Sequence, residues 1–219
     1  LLLNPDAGIS TDDLARLVAE LDSHPDAVLV SGRVVDEAGR EQRGSRRRAP
    51  TAGRILAELL PGGIGRGIDL TGTPAPASST EIDALSGACM LVRAAAFHAV
   101  GGFDERYRLV ADLELYDRLV LKYKAANIPL QLVGIRQHPD QTSGTKLAFD
   151  EVIEICNGRL LTGDYSRPDV ASIKATLSRA YLYRAQFRED GNSFSERMKG
   201  VGRAFRVSPN TFIWNFLLV

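Results

Sequence analysis

The 219-residue chain has only two cysteines and one tryptophan, and its 27 basic residues are matched by 27 acidic ones. No CxxC pair is present, so the cysteines offer neither a zinc knuckle nor a disulfide framework. Cys89 and Cys156 both sit in apolar periodic segments and are expected to be buried thiols, which suits a reducing compartment. No apolar run approaches the roughly 18–20 residues needed to cross a bilayer. A formal net charge of zero supplies no global field to recruit nucleic acid or an anionic membrane surface. There is also no initiator methionine. The chain starts on Leu1-Leu2-Leu3, which reads as mid-strand, and stops inside the apolar run Phe212 to Val219. We therefore expect both ends to be cut from a longer protein.

What is present is an ordinary globular composition, 44% hydrophobic and 25% charged. Leu1 to Leu3 reads as a buried-strand fragment entering the turn Asn4-Pro5-Asp6. Ser10 and Asp13 have capping-box-like spacing ahead of the stripe Leu14, Leu17, Val18 and Leu21, which predicts an amphipathic helix. Asp26 to Val35 reads as a strand, turned by Asp36 to Gly39 towards a partner near Glu41 to Arg43. A short helix is expected at Arg54 to Leu60, then a Gly-, Pro- and Ser-rich loop to Thr80 and a strand over Ile82 to Val92. Ala94 to Val100 predicts a helix stopped by Gly101-Gly102. Asp112 opens a helix with Leu115, Leu119 and Val120 inward, ending near Asn127, and Leu130 to Ile135 is the last strand. The expected fold class is α/β, with a mixed Rossmann-like sheet over residues 1–146. Apolar stripes through Phe149–Leu160, Ile173–Tyr181 and Phe194–Phe205 then predict a helical appendage over 147–219.

Three segments carry chemistry-bearing side chains at strand or helix ends, where an α/β sheet places its site. Asp6 follows a strand, and a carboxylate there can hold a hard divalent cation against a diphosphate; an Asx turn is the structural alternative. Asp112 lies in a first helical turn, where free N–H groups and the helix dipole favour the ionised form that a general base requires; plain capping is its alternative. His138 follows the last strand and could ligate a metal or bond a phosphate oxygen, or simply sit on the surface. The run Arg46-Arg47-Arg48 reads as a solvated face or a local anion contact.

Taken in order, these segments resemble family 2 glycosyltransferases of the GT-A fold, in particular the rhamnosyltransferase-like branch of surface-polysaccharide synthesis. The resemblance runs from Leu1 to about Ser143. It is carried by LLLNPD (1–6), VSGRVVDEAGREQRGSRRRAPT (30–51), DALSGACMLVRAAAFHAVGGFDERY (83–107), VADLELYDRL (110–119) and RQHPDQTS (136–143). It implies an inverting transfer from a nucleotide-diphosphate sugar, with dTDP-rhamnose suggested by the branch, to a cell-surface polysaccharide or lipid-linked saccharide acceptor. Asp6 and His138 would bind the diphosphate and its cation, Mg or Mn, and Asp112 would be the base. Ser86, Gly87, Ala88, Asp104, Glu114 and Arg118 would face substrate. Glu114 stands where the branch commonly has a second Asp. The family's nucleotide-binding first half, on the order of 60–90 residues, is expected to lie upstream, so this piece alone is expected to transfer little sugar. The alternative is a non-catalytic, carbohydrate- or partner-binding module. A cytoplasmic location is implied. Arg197, Lys199, Arg203 and Arg206 beside Phe212-Ile213-Trp214 offer either a peripheral contact with the inner membrane face or a helix packed on the core.

Overall fold

A computed structural model describes residues 1–42, 44–48, 69–81, 84–136, 145–163, 165–186 and 194–209. The expected Arg54–Leu60 helix, the start of the loop that follows it, His138 and Phe212–Trp214 lie outside the described residues. By chain contacts the described residues fall into two compact units, 1–136 and 145–209.

The first unit is an α/β layer. Its strands are β1 (Leu2–Leu3), β2 (Ala7–Ile9), β3 (Ala27–Val35), β4 (Arg46–Arg47), β5 (Thr80–Glu81), β6 (Ala84–Leu85), β7 (Cys89–Val92) and β8 (Lys124–Ile135). Its helices are α1 (Thr11–Ser23), α2 (Ala94–Ala99) and α3 (Ala111–Val120). Five strands run in the order β1-β7-β3-β8-β2, with β5 adding to β8, and β4 pairs β6 separately. The sheet is mixed: β3 and β8 are parallel, and the other pairings are antiparallel.

Helix α1 starts where the capping pattern places it, because Ser10 Oγ accepts from the Asp13 N–H at 3.1 Å. Its Leu17 and Leu21 pack with Val30, Val34, Cys89 and Val133 on one side of the sheet. Leu115 and Leu119 of α3 and Ala96 of α2 pack with Leu29, Met90 and Ala125 in a second cluster. Leu17, Leu29, Leu115 and Leu119 are fully buried. Each such side chain stabilises the fold by about 1.5–3 kcal/mol relative to exposure.

Several expectations change. Leu1–Leu3 is not a buried strand: β1 ends the sheet, and Leu1 and Leu3 are exposed. The strand expected over Ile82–Val92 is broken into β6 and β7 by a turn through Ser86-Gly87-Ala88. An additional short strand, β2, follows the Asn4–Asp6 turn. The largest correction is at Lys124–Asn127, read from sequence as the tail of the helix that Asp112 opens. That helix stops at Val120, and these residues begin β8, paired in parallel with β3. Alanine is a helix former, but here pairing with β3 overrides that preference. Pro129 is tolerated within β8 because the register shifts there, from Gly32 opposite Ile128 to Arg33 opposite Gln131.

The second unit is helical, with α4 (Lys146–Thr162), α5 (Arg167–Gln186) and α6 (Phe194–Val207). Thr145 caps α4 and Gly163 ends it at φ 73°. Cys156, Ile173 and Leu177 form its apolar centre. Both cysteines are free and buried; burial pushes the Cys89 thiol up to about 11 and the Cys156 thiol up to about 12. No helix among the described residues is long and apolar enough to cross a membrane.

Candidate active site

The α3 N-terminus presents Asp112 without help from a side-chain cap, since Val110 supplies none. A first-turn N–H is therefore open, and Asp112 Oδ1 accepts from the Leu113 N–H at 2.8 Å. The other carboxylate oxygen lies directly over the backbone of Gly87: a Cβ built on that glycine would fall 1.6 Å from Asp112 Oδ2. Only a residue without a side chain admits the carboxylate this closely. Burial raises the Asp112 pKa above its ordinary value, against the opposing effect of the Leu113 and Asp112 backbone N–H groups. A carboxylate tuned upward in this way is a stronger base at neutral pH and still ionisable.

Backbone bonds gather the neighbouring segments. The Asn4 N–H donates to the Ala88 carbonyl at 2.9 Å, tying the Asn4–Asp6 turn to the Ser86–Ala88 loop beneath Asp112. Ser86 Oγ accepts from the Ala88 N–H at 3.3 Å and holds the loop closed. The Arg136 N–H donates to the Asp6 carbonyl at 2.9 Å, so the residue that follows β8 is bonded to Asp6. Asp112 thus sits over Gly87 in a loop bonded to Asn4, the first residue of the turn that carries Asp6.

Glu114 and Arg118 face each other rather than open space. Arg118 Nε donates to Glu114 Oε1 at 2.7 Å and Nη2 to Oε2 at 2.5 Å. Arg118 also donates to the carbonyls of Val100 and, at 2.6 Å, Gly102. It therefore staples the helix bearing Asp112 to the glycine turn that precedes Asp104. That turn requires glycine, with φ 88° at Gly101 and 70° at Gly102. Asp104 is engaged by Arg106, whose Nη2 donates to Oδ2 at 2.7 Å; this bond, more than any other contact, holds the Asp104 carboxyl below its usual range. Arg118→Met should lower stability by about 1–3 kcal/mol, because a mostly buried Glu114 and two carbonyls lose their donor. Urea denaturation would measure this. Arg118→Lys should recover only part of the loss, since it restores the charge without the fork.

An ion cluster nearby was not foreseen. Arg46, read as part of a solvated face or a local anion contact, is buried, and its Nε and Nη2 donate to the two oxygens of Glu41 at 2.6 and 2.8 Å. Arg33 Nη2 shares Glu41 Oε2 at 2.9 Å. One signal was available: Arg33 interrupts an apolar strand, and a charge there needs a partner.

Among the described residues no group of three or more His, Cys, Asp or Glu side chains could hold a metal ion. A hard cation held against a diphosphate needs less, because Mg²⁺ is usually bound by one or two carboxylates with phosphate oxygens completing its shell.

The fold and site together define an α/β sheet domain with a helix-borne, burial-tuned aspartate seated on a glycine loop. Comparison with known proteins adds a short match. A 43-residue stretch is 54% identical to N-acetylglucosaminyl-diphospho-decaprenol L-rhamnosyltransferase from two strains of Mycobacterium tuberculosis, CDC 1551 / Oshkosh and ATCC 25618 / H37Rv. The match covers 19% of this chain and 14% of the length of each of those curated relatives. It supports a glycosyltransferase-like relationship. No family model matches the chain.

Proposed function

We propose that this chain is part of an inverting glycosyltransferase that moves a sugar, rhamnose by preference, from a nucleotide diphosphate to a saccharide or lipid-linked saccharide acceptor. The observation that carries the reading is Asp112, a carboxylate with a raised pKa, fixed over Gly87 in the loop that the Asn4 N–H ties down. The short rhamnosyltransferase match agrees with it.

In this reading Asp112 accepts the proton of the acceptor hydroxyl. The hydroxyl oxygen attacks the anomeric carbon as the bond to the diphosphate breaks, and the anomeric configuration inverts. Asp6, with His138 outside the described residues, would hold Mg²⁺ or Mn²⁺; when bound, the cation neutralises charge developing on the departing diphosphate. The Ser86–Ala88 loop forms the floor under the reacting hydroxyl, and Asp104, held by Arg106, borders the sugar. Glu114 and Arg118 act by position, fixing α3 against the Gly101-Gly102 turn.

The direct test is a panel of nucleotide sugars, including dTDP-rhamnose, offered with saccharide and prenyl-diphosphate-linked acceptors to the protein expressed from its full coding sequence. Acceptor-dependent release of nucleoside diphosphate and an inverted product are expected. Retention of configuration, or silence across the panel, would overturn the proposal.

A further inference from the structure

We infer that the cleft between the Asp36–Glu41 turn and the Thr71–Ala75 loop binds a phosphate-class oxyanion through the Arg33 and Arg40 guanidinium groups. The cleft encloses about 610 Å³, and Arg33, Arg40, Glu41, Thr71, Thr73 and Gln131 are among its walls. None of these residues belongs to the transfer chemistry proposed above, so the inference goes beyond that reading.

The argument begins with charge. Glu41 is the common carboxylate of two guanidinium groups: its side chain is 5% exposed, that of Arg46 4% and that of Arg33 16%. Arg46 takes both Glu41 oxygens and adds bonds to the Leu70 and Thr73 carbonyls at 3.0 Å. Arg46 and Glu41 thus satisfy each other as a forked pair. Arg33 is left with one bond to an oxygen already in use, and its Nε has no hydrogen-bond partner among the described residues. A poorly hydrated cation in surplus is costly unless an anion offsets it. Arg33 forms part of the cleft wall, so the cleft is where that anion can arrive.

The rim supplies the second cation. Arg40 is 79% exposed and meets Asp36 Oδ2 with its Nε at 2.9 Å and its Nη2 at 2.8 Å, so that its Nη1 edge is the one turned away from this pair and able to meet a ligand. Two guanidinium groups on one open cleft suit a multi-oxygen anion such as phosphate or diphosphate better than a lone carboxylate, since each can give a charge-assisted bond to a separate oxygen. The cleft opens off β8, the strand that continues to Arg136 and its bond to Asp6.

The test is a calorimetric titration of the whole chain with inorganic pyrophosphate, with acetate at matched ionic strength as control. Saturable binding of pyrophosphate beyond the acetate control is expected. Arg33→Met should weaken it about tenfold or more, the usual consequence of losing a charge-assisted bond. That variant should melt at or above the parent temperature, because Glu41 keeps its fork with Arg46. Arg40→Gln, at an exposed position, should weaken binding severalfold without touching the fold, and it decides the matter if Arg33→Met does not fold. Asp112→Asn should leave this binding unchanged, which separates failure here from failure of the transfer reading. Repeating the titration with a nucleoside diphosphate and with farnesyl diphosphate distinguishes a nucleotide source of the phosphate from a lipid one. No binding beyond the control, or equal binding by the Arg40→Gln variant, overturns the inference.

Discussion

Asp112→Asn is expected to remove most sugar transfer from the full-length protein while leaving its fold slightly more stable at neutral pH. The rate should fall by about 10²–10⁴-fold, the usual contribution of a positioned general base. The Michaelis constant for the donor should barely move, because asparagine keeps the size of the side chain and its bond from the Leu113 N–H. The stability gain follows from linkage. Burial holds the folded-state pKa of Asp112 above its unfolded value, so the contribution of this group to stability is fully present below the unfolded pKa. It is lost as pH rises through the folded pKa, where the buried carboxylate becomes charged. Asparagine never charges, so the variant should melt higher than the parent at neutral pH and the difference should vanish in acid. The same shift places the acid limb of the rate profile above the ordinary aspartate range near about 4. A parent-like kcat would remove Asp112 as the base. A lower melting temperature at neutral pH would instead make the carboxylate a structural group.

Such an opposition between rate and stability cannot be read from the residue string, because it depends on what lies over Asp112. The sequence placed Asp112 in a first helical turn, and the helix is there. It also placed Ser10 as a cap and Gly101-Gly102 as a stop, and both are used, because caps and left-handed glycines are set by a few neighbouring residues. Features that depend on distant partners were less legible. Lys124–Asn127 has no local strand signal and becomes β8 only because β3 offers a parallel edge. The run Arg46-Arg47-Arg48 left a solvated face and a local anion contact equally open, and it is the fold that brings Glu41 onto Arg46. Glu114 and Arg118 sit four residues apart, a spacing that allows a helical ion pair, yet the resemblance had pointed both towards substrate. Gly87 was named as part of a pocket floor, but its reason for being glycine, the carboxylate packed on its Cα, required three dimensions.

That glycine gives the second large expected effect. In Gly87→Ala the new methyl group would fall 1.6 Å from Asp112 Oδ2 and 2.7 Å from its carboxyl carbon, far inside van der Waals contact. Neither side can yield freely. The loop is tied at Ala88 by the Asn4 N–H and by Ser86 Oγ, and the carboxylate is held by the Leu113 N–H at the start of a helix whose Leu115 and Leu119 are fully buried. The softest movement is rotation of the Asp112 side chain away from the loop. Overpacking of this kind costs about 1–3 kcal/mol of stability. A displacement of about 1 Å at a reacting group costs about 10²-fold in rate, so kcat should fall by that order with donor affinity nearly intact. A carboxylate turned outward also regains water, so its pKa should drop towards the ordinary value and the acid limb should move to lower pH. The paired shift of rate and limb distinguishes a displaced base from a merely destabilised protein, in which the surviving folded fraction would keep the parent's pH profile. If Gly87→Ala transfers sugar at the parent rate with the parent's acid limb, the close seat of Asp112 on the loop has no part in catalysis.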